Sequence, residues 1–194
     1  VEGSGAEQGV YDLVIVGSGS SGLAATVAAQ DMGLRVVTLE AAAFANTFVT
    51  MTKGKYLFAE PEDVSLRSRV WFEECHKEEL LERWRSLRRE ESLPIREHER
   101  VASISGEKGR FEVVTSVTTY RARRVALCLG KAGNPRKLGA PGEREHAARI
   151  HHRLLDPDDH RGQDIVIVGA GDVACEAAIA LAQSNRVTMT AIDT

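Results

Sequence analysis

The sequence predicts an α/β protein in which two strand–turn–helix–strand units carry glycine-rich turns. The segment DLVIVGSGSSGLAA at residues 12–25 has a near-copy, DIVIVGAGDVACEA, at residues 164–177. In each copy, four consecutive apolar residues run into a glycine turn, which is typical of a strand buried on both faces of a parallel sheet. Between the copies, short strand patterns separated by turn residues predict an antiparallel β-meander.

The first unit follows the usual order of a parallel β-α-β motif. Residues 11–16 are predicted to form a buried strand, and an alanine-rich helix is predicted from about Ser21 to Met32. Gly33 ends this helix, and Leu34–Glu40 form the second strand. Two strands joined by a helix in this way lie parallel, with a right-handed crossover.

The region between the two glycine turns contains one helix and several strands. The helix is predicted at residues 77–90, where one face carries the apolar residues Leu80, Leu81, Trp84 and Leu87. Strand patterns follow at residues 99–105, 110–116 and 118–129, with a turn at residues 107–109 between the first two. The last pattern ends in VALCLG, which predicts a buried strand. Proline and glycine then mark residues 131–161 as a connection.

Composition narrows the classes of partner that we expect. The net charge of −3 gives no electrostatic reason to expect a nucleic acid or an acidic membrane surface as partner. The apolar runs are far shorter than the roughly 20 residues of a membrane-spanning helix, and no leader pattern is visible. We therefore expect a cytoplasmic protein. Residues 1–9 resemble a flexible linker and the chain begins with Val1, so we expect it to be part of a longer polypeptide.

The chain has three cysteines at no metal-ligand or Cys-x-x-Cys spacing: Cys75, Cys128 and Cys175. We expect each of them to be a small buried apolar residue. The spacing of the cysteines predicts no metal site.

The first glycine turn has the residues that a dinucleotide-binding turn requires. The first free N–H groups of the helix and the helix dipole favour a phosphate at this point. Gly17 makes the turn, Gly19 lets the backbone approach a pyrophosphate, and Gly22 lets the helix pack against the strand. The predicted cofactor-binding residues of this turn are Gly17, Ser18, Gly19, Ser20, Ser21 and Gly22.

An acidic residue stands where the ribose of the nucleotide would lie. Glu40 ends the second strand, and its carboxylate can accept hydrogen bonds from ribose hydroxyls. The next residue, Ala41, is included in the predicted site. Strand, glycines, helix and acid together predict binding of a dinucleotide, although Glu40 could also be an exposed acid at a strand end.

The second glycine turn keeps two of the three glycines. Gly169 and Gly171 are retained, and Ala174 takes the third position, where its methyl group sets the helix further from the strand. Asp172 could cap this helix or contact a cofactor, and Glu176 is given no role. The predicted cofactor-binding residues of this turn are Gly169, Ala170, Gly171, Asp172, Val173 and Ala174.

The end of the second strand in this copy bears on the choice between NADH and NADPH. Alignment of RVTMTA at residues 186–191 with RVVTLE at residues 35–40 puts Ala191 at the ribose position. Asp193 lies two residues later and could reach a hydroxyl. No arginine or lysine is present there for a 2′-phosphate, so NADH is slightly favoured.

The doubled motif resembles the flavoproteins with two dinucleotide-binding domains, the pyridine nucleotide-disulfide oxidoreductase superfamily. VALCLG at residues 125–130 and PRKLGAPGE at residues 135–143 resemble that superfamily's strand end and its connection into the second domain. The resemblance implies Rossmann-like domains, with FAD in residues 10–145 and NAD(P)H in residues 163–194, joined by residues 146–162. It also implies hydride transfer from NAD(P)H to FAD and on to an unidentified acceptor, which could be a protein.

Within the superfamily, the chain is most similar to the branch of thioredoxin reductases and bacillithiol disulfide reductases. This resemblance implies that Asn46 and Thr47 lie near the flavin or its ribityl chain. It also implies that the backbone of Val101 meets the adenine and that Gly130, at the strand end, lies near the flavin.

The chain departs from this branch in two respects. The stretch before the second motif, ARIHHRLLDPDDHRG, has no cysteine, so the dithiol exchange of thioredoxin reductases is not expected. His151 and His152 lie in this stretch, where packing or solvent contact is a simpler role than proton transfer or metal binding. The second unit also stops after two strands, so we expect no hydride transfer by this chain alone. A non-catalytic nucleotide-binding module is the alternative. A flavin monooxygenase is less favoured, because F-x-G-x-x-x-H is missing.

Overall fold

The computed structural model describes residues 9–59, 68–131, 133 and 137–191. In chain order the elements are β1 Val10–Tyr11, β2 Leu13–Val16, α1 Ser20–Asp31, β3 Val36–Leu39, α2 Asn46–Val49, β4 Tyr56–Leu57, β5 Cys75–His76, α3 Lys77–Glu90, β6 Ile95–Arg96, β7 Val101–Glu107, β8 Arg110–Thr115, β9 Thr119–Ala122, β10 Val125–Leu127, β11 Asp164–Val168, α4 Asp172–Leu181 and β12 Arg186–Thr190. Short 3₁₀ turns lie at Ala147–Arg149 and Pro157–Asp159.

The chain divides into two compact units. The first comprises Val1–Val49 and Tyr56–Asn134, and the second comprises Thr50–Lys55 and Pro135–Thr194. The predicted α/β class is confirmed, since both units contain parallel strands joined by helices. In the part of the chain that the structure describes, no helix is both long and apolar enough to cross a membrane.

The first unit contains a parallel four-stranded sheet in the order β10-β2-β3-β6. Its two faces are covered differently because successive side chains of a strand point to opposite sides. On one side Val14 and Val37 pack with Val113 and Ala122 of the neighbouring meander. On the other side Ile15 packs with residues of α1 and β3. The glycine turn at the end of β2 therefore stands on a core that is closed on both faces.

The meander forms a second sheet in the order β1-β9-β8-β7. Pairing of β7 with β8 and of β8 with β9 is antiparallel, as the turn at residues 107–109 predicts. The prediction of one strand over residues 118–129 is wrong. The chain leaves the meander after Ala122, where Arg123 N donates to Tyr11 O at 2.9 Å, and it joins the parallel sheet, where Val14 N donates to Arg124 O at 3.0 Å.

The predicted strand at residues 11–16 is divided in the same way. β1 pairs with β9 and β2 pairs with β10, so these two segments of the chain cross side by side from one sheet to the other. The prediction that VALCLG forms a buried strand is also wrong, because Leu127 is 62% and Leu129 is 64% exposed. Among the described strands β10 is the edge of its sheet, which leaves one side of it without a neighbour.

The helix predicted at residues 77–90 is confirmed with the same bounds. Leu80, Leu81 and Trp84 are buried, and Phe48 of α2 packs edge-on against Trp84 with ring centroids 5.0 Å apart. The apolar face of α3 thus fixes the position of α2, which carries two predicted cofactor-binding residues.

The second unit repeats the β-α-β motif with β11, α4 and β12. β11 pairs with β12 in parallel over five residues. Ile165 and Ile167 are half-buried, whereas the alternating residue Val166 is 65% exposed. One face of this two-stranded sheet is therefore packed and the other is open in the described part of the chain.

Candidate cofactor-binding site

The first glycine turn connects the end of β2 to the start of α1. Gly17 has a φ of +101° and its N–H donates to Leu39 O at 2.8 Å. A Cβ built at Gly17 would lie 2.3 Å from the carbonyl oxygen of Cys128. Both the backbone conformation and the space therefore require glycine, as the sequence motif predicts.

Gly22 lies in α1 and faces the turn. A Cβ at this position would lie 1.9 Å from Gly17 O, so the helix packs as closely as backbone atoms allow. Gly19 is different, because a Cβ there would meet nothing within 4 Å. Gly19 is the N-cap of α1, with no side chain bonded to the first amides. The space beside the backbone at the start of α1 is thus open, and a phosphate group that binds the first amides of a helix requires such space.

The carboxylate of Glu40 is bonded to the glycine turn itself. The backbone N and the Oγ of Ser18 both donate to Glu40 Oε2, each at 2.9 Å. Ala42 N donates to the other oxygen, Oε1, at 2.9 Å. A carboxylate has about four lone-pair positions, so three are occupied and one remains for a ligand hydroxyl. The motif did not reveal this contact between the turn and the acid.

Ser18 also links the turn to the segment before α2. Its side chain is fully buried, and its Oγ accepts a hydrogen bond from Ala45 N at 3.3 Å. Asn46 and Thr47 follow directly as the first residues of α2, half-buried and exposed respectively. The structure therefore brings the start of α2 close to the first turn and Glu40, while Ala41 is exposed beside them.

Two further predicted residues lie at strand boundaries. Val101 begins β7, is half-buried and packs against the core between the two sheets. It lies near the end of β3, because Glu99 N donates to Glu40 O at 2.8 Å. Gly130 lies exposed after β10, the strand that pairs with β2.

The second glycine turn repeats the main-chain geometry of the first. Gly169 N donates to Thr190 O at 2.8 Å, as Gly17 N does to Leu39 O. The next residue after Thr190 is Ala191, which therefore occupies the position of Glu40. This register agrees with the alignment of the two sequences. Asp193 lies outside the described residues.

The start of α4 excludes one of the two roles considered for Asp172. The N-cap of α4 is Gly171 and Asp172 is the first helical residue, so Asp172 does not cap the helix. At the third motif position, Ala174 is half-buried and carries a methyl group, whereas a methyl group on Gly22 would overlap Gly17 O. Hence α4 cannot approach its turn as closely as α1 does. Glu176, which the sequence left without a role, pairs with Lys55 of the same unit.

The cysteines differ in their exposure. Cys75 is buried and Cys128 half-buried, and burial raises the pKa of both thiols. The prediction that Cys175 is buried is wrong, because it lies exposed on α4, a helix with only one buried residue. Among the described residues, no group of three or more His, Cys, Asp or Glu side chains could hold a metal ion.

Both histidines of the connection have neighbours that are distant in sequence. His152 Nε2 lies 4.0 Å from Glu143 Oε1, and the rings of His151 and His160 are in edge contact at 5.4 Å. Glu143 Oε2 also accepts a hydrogen bond from Gly139 N at 2.6 Å. Both histidines are exposed, in agreement with the packing or solvent role expected for them.

The family model described as pyridine nucleotide-disulphide oxidoreductase matches residues 14–194. The chain belongs to this family. It is 27% identical over 175 residues to a ferredoxin–NADP reductase of Ignicoccus hospitalis, covering 90% of this chain and 53% of that protein. It is 28% identical over 182 residues to a thioredoxin reductase of Treponema pallidum, covering 92% of this chain and 55% of that protein. The chain thus spans about half the length of these curated relatives.

Solved structures of this fold include reductases and monooxygenases. The bacillithiol disulfide reductase of Staphylococcus aureus matches with a TM-score of 0.82 and 19% identity, over 94% of this chain and 57% of that chain. A flavin-containing monooxygenase of Stenotrophomonas maltophilia matches with a TM-score of 0.73 and 20% identity, over 95% and 58% respectively. At such identities the likeness shows the fold, which both classes of enzyme share.

Proposed function

We propose that this chain is the cofactor-binding part of an FAD-dependent oxidoreductase that passes hydride from NAD(P)H to FAD and on to an acceptor. The observation that carries the proposal is the first glycine turn, in which Gly17 and Gly22 pack without room for a Cβ and Ser18 is bonded to Glu40. Membership of the pyridine nucleotide-disulphide oxidoreductase family supports it.

The residues of the first turn suit the ADP half of FAD. The diphosphate would accept hydrogen bonds from the amides at the start of α1, where Gly19 leaves open space. The remaining lone pair of Glu40 would accept a ribose hydroxyl. Asn46 and Thr47 would lie beside the flavin, and the backbone of Val101 would meet the adenine. Bound FAD would supply the hydride chemistry, while the chain binds and orients it.

The second turn would hold the nicotinamide nucleotide. A Cβ built at Gly169 or Gly171 would meet nothing within 4 Å, so there is room for a diphosphate at the start of α4. Ala191 stands where the first unit has Glu40, and its methyl group can neither bond a ribose hydroxyl nor pair with a 2′-phosphate. We infer a slight preference for NADH, since residues 191–194 contain no arginine or lysine for a 2′-phosphate.

The proposed organisation keeps the predicted division of the chain. Residues 10–145 would carry the FAD site and residues 163–194 would start the NAD(P)H domain, with residues 146–162 between them. Within the first range, Thr50–Lys55 and residues 135–145 belong to the second compact unit. The acceptor would be reduced by flavin rather than by a thioredoxin-type dithiol, because the stretch before the second turn has no cysteine. A further protein could be that acceptor.

Two measurements test the proposal in sequence. FAD binding is measured on this chain by quenching of flavin fluorescence, and binding that saturates at one FAD per chain is expected. Reduction is then measured on the complete polypeptide under anaerobic conditions, where NADH should bleach the visible flavin band faster than NADPH does. Absence of FAD binding by the complete polypeptide would overturn the proposal. A flavin that dithionite bleaches but neither nucleotide reduces would establish the non-catalytic binding module instead.

A further inference from the structure

Six residues between the two parts of the first unit fold with the second unit. Thr50–Lys55, here called the strap, belong to the second unit, although Val49 before it and Tyr56 after it belong to the first. The strap is bonded to a segment about a hundred residues later in the sequence. Such an exchange of a short segment between units is invisible to sequence periodicity.

Hydrogen bonds join Thr50, Thr52 and Lys53 of the strap to residues 153–155. Lys53 N donates to Leu155 O at 2.8 Å, and Thr52 Oγ1 donates to Leu154 O at 2.9 Å. Arg153 Nη1 donates to Thr50 Oγ1 at 2.8 Å. Three hydrogen bonds that involve three strap residues therefore fix its path on the second unit.

Both lysines of the strap form ion pairs with carboxylates of the second unit. Lys53 Nζ lies 2.8 Å from Asp156 Oδ2 and 3.5 Å from Asp158 Oδ2, and Asp158 also pairs with Arg161 at 2.6 Å. The hydrogen bond between Lys53 and Asp156 lowers the pKa of Asp156 and raises the pKa of Lys53. Lys55 pairs with Glu176, so the strap connects the segment before β11 to the helix after the second glycine turn.

The strap lies at the protein surface. None of its residues is buried, and the side chain of Lys53 is 59% exposed. Exposed ion pairs are weak and are screened by salt. A segment with few buried apolar contacts opens more readily than the core of its domain.

We propose that the strap is a salt-sensitive switch segment. In its closed state it binds the second unit through the ion pairs of Lys53 with Asp156 and Asp158, and in its open state the whole segment between Val49 and Tyr56 detaches. The strap begins at Thr50, directly after Val49 at the end of α2, the helix whose first residues are Asn46 and Thr47. At its other end it holds Glu176, one helical turn after Asp172. Closing the strap therefore holds Glu176 of α4 within the second unit. The switch segment itself does not depend on the proposed function.

Limited trypsin digestion of the whole chain tests the switch segment, because the chain contains two matched Lys–Gly bonds. Lys53–Gly54 lies in the strap, and Lys108–Gly109 lies in the exposed turn between β7 and β8. At low salt we expect cleavage after Lys53 to be about tenfold slower than after Lys108, because the closed strap protects its bond. Raising the salt concentration should narrow the difference, with cleavage after Lys108 correcting for any effect on trypsin.

Three variants complete the test. Asp156→Asn should raise cleavage after Lys53 several-fold, whereas Asp159→Asn, the same change at a carboxylate outside the contacts to the strap, should leave it unchanged. Thr52→Val removes the hydroxyl that donates to Leu154 O without altering the shape of the side chain. This variant should also be cleaved faster after Lys53. Cleavage after Lys108 and far-ultraviolet circular dichroism report that each variant is folded. Equal cleavage after Lys53 and Lys108 in the parent at low salt, or equal rates in the two Asp→Asn variants, would overturn the proposal.

Discussion

Ser18 and Glu40 are joined by two hydrogen bonds to a single oxygen. The backbone N and the Oγ of Ser18 each lie 2.9 Å from Glu40 Oε2. This contact connects the turn after β2 to the end of β3, where a dinucleotide motif places its acid. Glu40 thus organises the turn before any ligand arrives, and a ribose contact would be a second role of the same carboxylate.

Glu40→Gln should therefore weaken the fold as well as FAD binding. Both carboxylate oxygens accept from N–H or O–H donors, so the amide nitrogen of glutamine would face a donor in either orientation. We expect a loss of about 1–3 kcal/mol in the free energy of unfolding, measured in urea. The control is Glu112→Gln, an exposed acid on β8, for which a change within about 0.5 kcal/mol is expected. Equal effects of the two substitutions would contradict the role of Glu40.

Gly17→Ala should destabilise the chain more than Gly169→Ala. Gly17 combines a φ of +101° with a would-be Cβ 2.3 Å from Cys128 O, so backbone strain and overlap add to about 2–4 kcal/mol. Gly169 has a φ of +122° but open space around its Cβ, so strain of about 1–3 kcal/mol acts alone. Urea unfolding of the two variants shows which substitution lowers the free energy of unfolding more. A larger effect at Gly169 would show that the packing of the first turn is not tight.

Gly19→Ala separates stability from binding. Its φ of −69° and the open space around its Cβ predict a change in unfolding free energy within about 1 kcal/mol, as for other N-cap substitutions. The added methyl group would stand where a diphosphate approaches, so FAD affinity should fall at least about tenfold, equivalent to 1.4 kcal/mol. Unchanged FAD affinity, measured by fluorescence quenching, would mean that the phosphate does not approach the backbone here.

Local patterns predicted the parts of the structure that local physics determines. The bounds of α3 follow from apolar residues at spacings of three and four. The two glycine turns follow from strand, glycine and helix signals within a few residues. The matching register of Gly17 and Gly169 shows that sequence alignment of the two copies carries three-dimensional information.

The features that were missed depend on contacts between distant segments. The break at Arg123 arises because the chain changes sheets, which no alternation of apolar residues reveals. Exposure of Leu127 follows from its place at a sheet edge, and exposure of Cys175 from the sparse packing of α4. The strap pairs Lys53 with Asp156 across a hundred residues, and the serine that Glu40 binds was known only as a turn residue.

Thiol reactivity should follow the order of exposure. Cys175 is exposed and should be alkylated first at neutral pH, whereas burial raises the pKa of Cys128 and Cys75 and keeps them as unreactive thiols. Pulse labelling with iodoacetamide followed by peptide mass spectrometry gives the three rates. Cys175→Ser is the matched control, since it should remove the fast phase and leave the two slow ones. Fast labelling of Cys128 in the folded chain would contradict its packing beside the first turn.

Tyr120 should titrate well above an ordinary tyrosine. Burial and a hydrogen bond to the Glu99 carboxylate raise its pKa to about 12. Glu99 is itself buried and also accepts from Thr115 Oγ1 at 2.8 Å, which keeps it in place. In the ultraviolet titration of phenolate, the difference between the parent and Tyr120→Phe should therefore show a midpoint near 12 rather than near 10.

The same shift gives the sign of an alkaline effect on stability. Because the folded state favours the neutral phenol, the contribution of Tyr120 is fully present below the unfolded pKa of about 10 and is lost as the pH rises through about 12. The difference in urea midpoint between the parent and Tyr120→Phe should hence be largest at neutral pH and shrink across this interval. A difference that stays constant from neutral pH to pH 12 would show that the phenol of Tyr120 is not held by Glu99.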